Sequence, residues 1–191
     1  MKGFDEAIHD GELEMVKLTL NHKINQLVEK VINSTDDSIA DTTILVAIKH
    51  NWVDIVTYLL SEEVNDKFIQ ASEGLLEQNL WVDSAISCVL ERESSCVLEG
   101  EMSDQMLLVV LRNPLIQRRI GEGYPTMALE LMDRVNPRKN VEMIILLYRC
   151  YLLAAQKRPS IANMLPQHTA LESLKHLPND QIYNQIQKIL F

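Results

Sequence analysis

Apolar residues recur along this chain at helical intervals. Leu13, Val16 and Leu20 stand at i, i+3 and i+7, and Val53, Val56 and Leu60 repeat the same steps. Strand-like alternation is nowhere sustained. The six prolines (Pro114, Pro125, Pro137, Pro159, Pro166 and Pro178) fall between the apolar-periodic stretches. Proline is tolerated in a first helical turn and excluded from helix interiors, so these positions mark helix starts. The pattern predicts an all-α chain. Its helices fall near 3–9, 12–20, 24–33, 41–50, 52–62, 65–78, 80–92, 103–112, 114–120, 125–135, 138–156, 159–164, 168–177 and 180–190, with some neighbours merging. The polar cluster at 34–37 reads as a loop.

The same steps belong to a gapless duplication. Ala7-Ile8-His9-Asp10-Gly11-Glu12-Leu13-Glu14-Met15-Val16 aligns, forty residues later, with Ala47-Ile48-Lys49-His50-Asn51-Trp52-Val53-Asp54-Ile55-Val56. Each copy places a small residue, a turn at Gly11 or Asn51, and a second apolar stripe in one order. Glycine and asparagine are the residues for which a left-handed turn is cheap. Met15, Val16, Ile55 and Val56 are expected on the inner face, buried between neighbouring units. A weaker third copy, Leu80-Trp81-Val82-Asp83-Ser84-Ala85, echoes Asn51-Trp52-Val53-Asp54-Ile55-Val56 at a spacing of 29. It puts Trp52 and Trp81 at matched positions, either as anchors for a partner or as packing at hairpin ends.

Self-similarity at a spacing of a few tens of residues marks stacked-repeat proteins, whose units bury their apolar faces on one another and leave long surfaces for partners. The two copies resemble ankyrin repeats over about residues 2–92. Thr42-Thr43-Ile44-Leu45-Val46-Ala47 stands where that family favours T-P-L-H-x-A. There are departures. The family's Pro and His are absent, Asn21-His22-Lys23 and Ser61-Glu62-Glu63 replace its glycine-containing turn, and the unit is longer than the usual length of about 33. Helical hairpins that only imitate ankyrin units remain the alternative. Further on, Ala128-Leu129-Glu130 matches Ala170-Leu171-Glu172 at a spacing of 42. That stretch resembles armadillo units over about 103–190, against an unrelated helical bundle. The resemblances imply an all-α solenoid of ankyrin-like hairpins followed by armadillo/HEAT-like units.

Charge sharpens this division. Of the 191 residues, 1–104 carry 7 Lys/Arg and 21 Asp/Glu, a net −14, and 105–191 carry 11 and 6, a net +5. The change of sign falls near 94–100, which gives units of 1–95 and 101–191 within one continuous solenoid. No stretch reads as a signal peptide or a membrane span. The three cysteines, Cys88, Cys96 and Cys150, are an odd number without metal-site spacing, which suits a reducing cytoplasmic compartment.

Candidate chemistry is sparse. Gly121-Glu122-Gly123 lacks the third glycine and the preceding strand of a phosphate loop, and reads as a turn before Pro125. His168 and His176 lie eight apart without a carboxylate or thiol to complete a metal set. No nucleophile–base arrangement, cofactor motif or paired-carboxylate motif appears, so the chain is read as neither an enzyme nor a cofactor protein. The expected function is protein–protein interaction, as an intracellular adaptor, scaffold or regulatory module. Its partner-binding candidates are Arg134, Arg138, Lys139, Lys175 and His176 of the basic half, together with Trp52 and Trp81. They suit another protein offering an acidic segment. A second copy is also in view, joined through the opposite-charge halves or the apolar end Ile189-Leu190-Phe191. Two alternatives stay open. One is a nucleic-acid-binding helical-repeat protein using the basic half, disfavoured by its modest charge and few stacking aromatics. The other is a viral or bacterial effector with ankyrin-like repeats.

Overall fold

A computed structural model describes residues 3–33, 38–76, 80–90, 103–123 and 141–157. The chain opens with α1 (Phe4–His9), whose Asp5 and Glu6 sit in the first turn where the helix dipole favours negative charge. Glu6 Oε2 accepts from Gly3 N at 3.2 Å, satisfying one of the donors left free at a helix start. The helix ends in a Schellman turn. Glu12 N donates to Ala7 O at 2.9 Å and Gly11 N to Ile8 O at 3.0 Å, with Gly11 at φ +72°. Then α2 (Leu13–Asn33) begins.

The second copy repeats this geometry bond for bond. After α3 (Ser38–Lys49), Trp52 N donates to Ala47 O at 2.9 Å and Asn51 N to Ile48 O at 3.0 Å, with Asn51 at φ +57°. The exits differ. Asn21-His22-Lys23, read from sequence as a turn, lies inside α2. Nothing there breaks a helix, and Ile24, Leu27 and Val28 continue its apolar stripe. In the second copy α4 (Val53–Leu59) stops, and Ser61 caps α5 (Glu62–Ala71), its Oγ accepting from Val64 N at 3.3 Å. The helix end α5 is a third Schellman turn, with Gly74 N on Ile69 O at 3.0 Å and Glu73 at φ +53°.

Three more helices follow at α6 (Trp81–Leu90), α7 (Asp104–Arg112) and α8 (Pro114–Gly123), then α9 (Val141–Lys157). Among the described residues there is no strand. Gly121-Glu122-Gly123 forms the last turn of α8 rather than a loop.

The chain divides into two compact units, Met1–Leu115 and Ile116–Phe191. Within the first, helices pack in two rows. One is α1, α3 and α6, each against the next. In the other, α2 packs against α4 and α5, and α4 against α7. Ala7 and Ala47 are both fully buried, which lets α1 and α3 approach closely. The unit runs past the 94–100 boundary because α7 packs on α4 and α6. Two long-range bonds tie this region back. Ser103 Oγ donates to Asn51 Oδ1 at 2.8 Å, and Asn113 Nδ2 to Leu60 O at 2.7 Å.

The core of this unit holds Phe4, Ile8, Val16, Leu20, Ile44, Ile55, Val56, Leu59, Phe68, Trp81 and Met106, all at most 2 % exposed. A fully buried side chain of this size contributes about 1.5–3 kcal/mol. Of the four expected inner residues, Val16, Ile55 and Val56 are buried and Met15 is half-exposed. In the second unit, Met143 through Leu147 are all buried, so α9 is enclosed nearly all round over that stretch.

Candidate functional site

Two surface features of the first unit bring functional side chains together. At the turn tips, Trp52 lies over Gly11. A Cβ added at Gly11 would stand 2.8 Å from the indole ring, so only glycine fits beneath it. His50 stacks on Trp52 with centroids 6.1 Å apart, and His9 follows at 5.3 Å, making a short aromatic ladder from α1 and α3. The indole Nε1 is buried without a hydrogen-bond acceptor among the described residues. A buried donor left unpaired is costly.

Trp81 has a different environment. It opens α6 in the first row and is 1 % exposed, stacked on Phe4 at 6.0 Å and met edge-on by Phe68 at 5.1 Å. Trp52 instead precedes α4 in the other row and is half-buried. The match at a spacing of 29 therefore pairs residues that occupy unlike places. Arg134, Arg138, Lys139, Lys175 and His176 lie outside the described residues, as do Cys96 and His168.

The second feature is a cleft between α2 and α5 that sequence reasoning missed. One part, about 600 Å³, is lined by Asn21, Ile24, Asn25, Lys67, Gln70, Ala71 and Glu73. A smaller part of about 210 Å³ continues past Asn25 to Val28, Glu29, Ser72 and Leu75. One end is closed by a polar tie. Lys67 Nζ donates to Asn21 Oδ1 at 2.9 Å and to Glu63 Oε1 at 2.7 Å. That bond holds the Glu63 carboxyl below the ordinary carboxylate range. Beyond the tie, Lys17 bonds Glu14 at 2.7 Å and stands 5.7 Å from the Tyr58 ring. Burial raises the Tyr58 phenol, against the lowering pull of Lys67 and Lys17.

The sequence signal was available. Asn21, Asn25 and Glu29 are spaced four apart along an otherwise apolar-striped helix, which puts them on one face.

Of the nucleophilic candidates, Cys88 and Cys150 are both buried, and burial pushes the Cys150 thiol up to about 12. Among the described residues no group of three or more His, Cys, Asp or Glu is placed to hold a metal ion. No described helix is long and apolar enough to cross a membrane. No family model, curated protein or solved structure matches the chain.

Proposed function

We propose that this chain is a non-catalytic protein-interaction module, an intracellular adaptor or scaffold built of degenerate ankyrin-like units followed by armadillo-like units. The carrying observation is the turn that recurs forty residues apart, with the same two backbone bonds and the same left-handed residue at Gly11 and Asn51. Two-row packing in the first unit supports the repeat reading, since stacked hairpins leave one row's outer face open to partners. The long cleft on the second row is such an open face. The odd number of cysteines, with Cys88 and Cys150 buried, suits a reducing compartment.

The test is to isolate a partner with the full chain as bait and map its footprint by hydrogen exchange. Protection concentrated on α2 and α5, or on the Trp52 tips, is the expected result. Capture of nucleic acid alone, with affinity falling steeply in salt, would replace this reading with the nucleic-acid alternative.

A further inference from the structure

The α2–α5 cleft has a chemistry that selects an occupant. Asn21, Asn25 and Gln70 line it, and a carboxamide offers both a donor and an acceptor, as a peptide main chain does. Eight residues of α2 separate Asn21 from Glu29, about 12 Å at 1.5 Å per residue, room for about four extended residues at 3.3 Å each. The two ends differ in charge. Lys67 is already held by Glu63 and Asn21 at one end. At the other, Glu29 and Glu73 line the same mouth, and neither has a cation within salt-bridge distance among the described residues. Leu75, 71 % exposed, stands on the rim there.

The backbone at Glu73 offers a control for the test. Glu73 occupies φ +53° at the end of α5, directly before Gly74 at φ +81°. That conformation strains a residue with a Cβ and favours glycine or asparagine.

We propose that the α2–α5 cleft binds a short extended segment of a partner protein, its main chain on Asn21, Asn25 and Gln70 and a lysine or arginine side chain between Glu29 and Glu73. This rests on the protein-interaction reading. The acidic balance of residues 1–104 adds long-range attraction for such a segment, which raises the encounter rate more than the affinity.

The experiment pans the full chain against a displayed library of random eight-residue peptides, then measures enriched peptides by fluorescence anisotropy. Enriched sequences are expected to carry Lys or Arg. Their affinity should fall about tenfold or more in Glu29→Gln with Glu73→Gln. Glu73→Gly separates binding from folding, because glycine relieves the backbone. Its melting temperature should equal or exceed the parent's while affinity falls. Acidic peptides, basic peptides indifferent to these substitutions, or no enrichment from a folded chain would each overturn the proposal. So would peptide binding that weakens as protein concentration rises, since a second copy would then fill the cleft. If an isolated partner protein protects the turn tips instead, the cleft assignment fails and the protein-interaction reading stands. If only nucleic acid is bound, both fail.

Discussion

Gly11 and Asn51 do the same work under different constraints. Both are left-handed, at φ +72° and +57°. Asparagine tolerates that region, so the cost of Asn51→Gly, about 1 kcal/mol, should come from the lost Ser103 hydrogen bond and not from the backbone. Gly11 carries the added restriction of the Trp52 ring, 2.8 Å from where a Cβ would stand. Gly11→Ala should cost about 1–3 kcal/mol, and adding Trp52→Ala should recover the steric part, leaving only the conformational one. Denaturant melts of the three variants check both parts. Val56 and Met15 make the second residue-scale contrast. Val56 is fully buried, so Val56→Asp sets an unpaired charge in an apolar layer and should cost about 3–5 kcal/mol. Met15 is half-exposed, and Met15→Asp should cost well under half as much.

Two helix starts in this fold carry serine caps, and one cap also ties α7 to the turn after α3. Ser61 Oγ accepts from Val64 N at 3.3 Å, and Ser61→Ala should lose about 1 kcal/mol. Ser103 Oγ accepts from Met106 N at 3.1 Å and also donates to Asn51 Oδ1. Ser103→Ala should therefore cost more than Ser61→Ala in the same chemical denaturation assay, since the cap and the tie to the second turn go together.

The polar tie between α2 and α5 has a pH signature. Lys67 holds the Glu63 carboxyl below its ordinary 4.5. A depressed carboxyl stabilises the fold above the unfolded value, and that contribution disappears as pH falls through the lower folded value. An NMR titration of Glu63 should show a midpoint below 4.5 that moves up toward it in Lys67→Gln.

At the scale of the molecule, each compact unit carries one buried thiol among its described residues, Cys88 in the first and Cys150 in the second. Burial pushes the Cys150 thiol up to about 12, and only the thiolate reacts readily. Alkylation at neutral pH, resolved by site, should therefore leave Cys150 unlabelled until its unit opens. The denaturant at which each thiol becomes reactive reports the opening of each unit separately. Simultaneous labelling of Cys88 and Cys150 would mean that the two units unfold together.

Over the described residues, the sequence by itself determined the all-α character and the turns at Gly11 and Asn51. Schellman turns are closed by bonds spanning five residues, so Gly11 and Asn51 announce them locally, and a gapless duplication carries one turn into the next. Caps at Ser61 and Ser103 are equally local. Which faces those helices cover was decided only by tertiary structure. Asn21-His22-Lys23 and Ser61-Glu62-Glu63 align perfectly, yet α2 runs on where α4 stops, because an apolar stripe and a serine cap compete differently in the two copies. Trp52 and Trp81 match in sequence and part in space, one at a turn tip and one wedged between Phe4 and Phe68. The α2–α5 cleft lies where two helices distant in sequence pack together, with Lys67 reaching Asn21 across 46 residues of chain. No local pattern encodes such a meeting, because it depends on how helices distant in sequence pack.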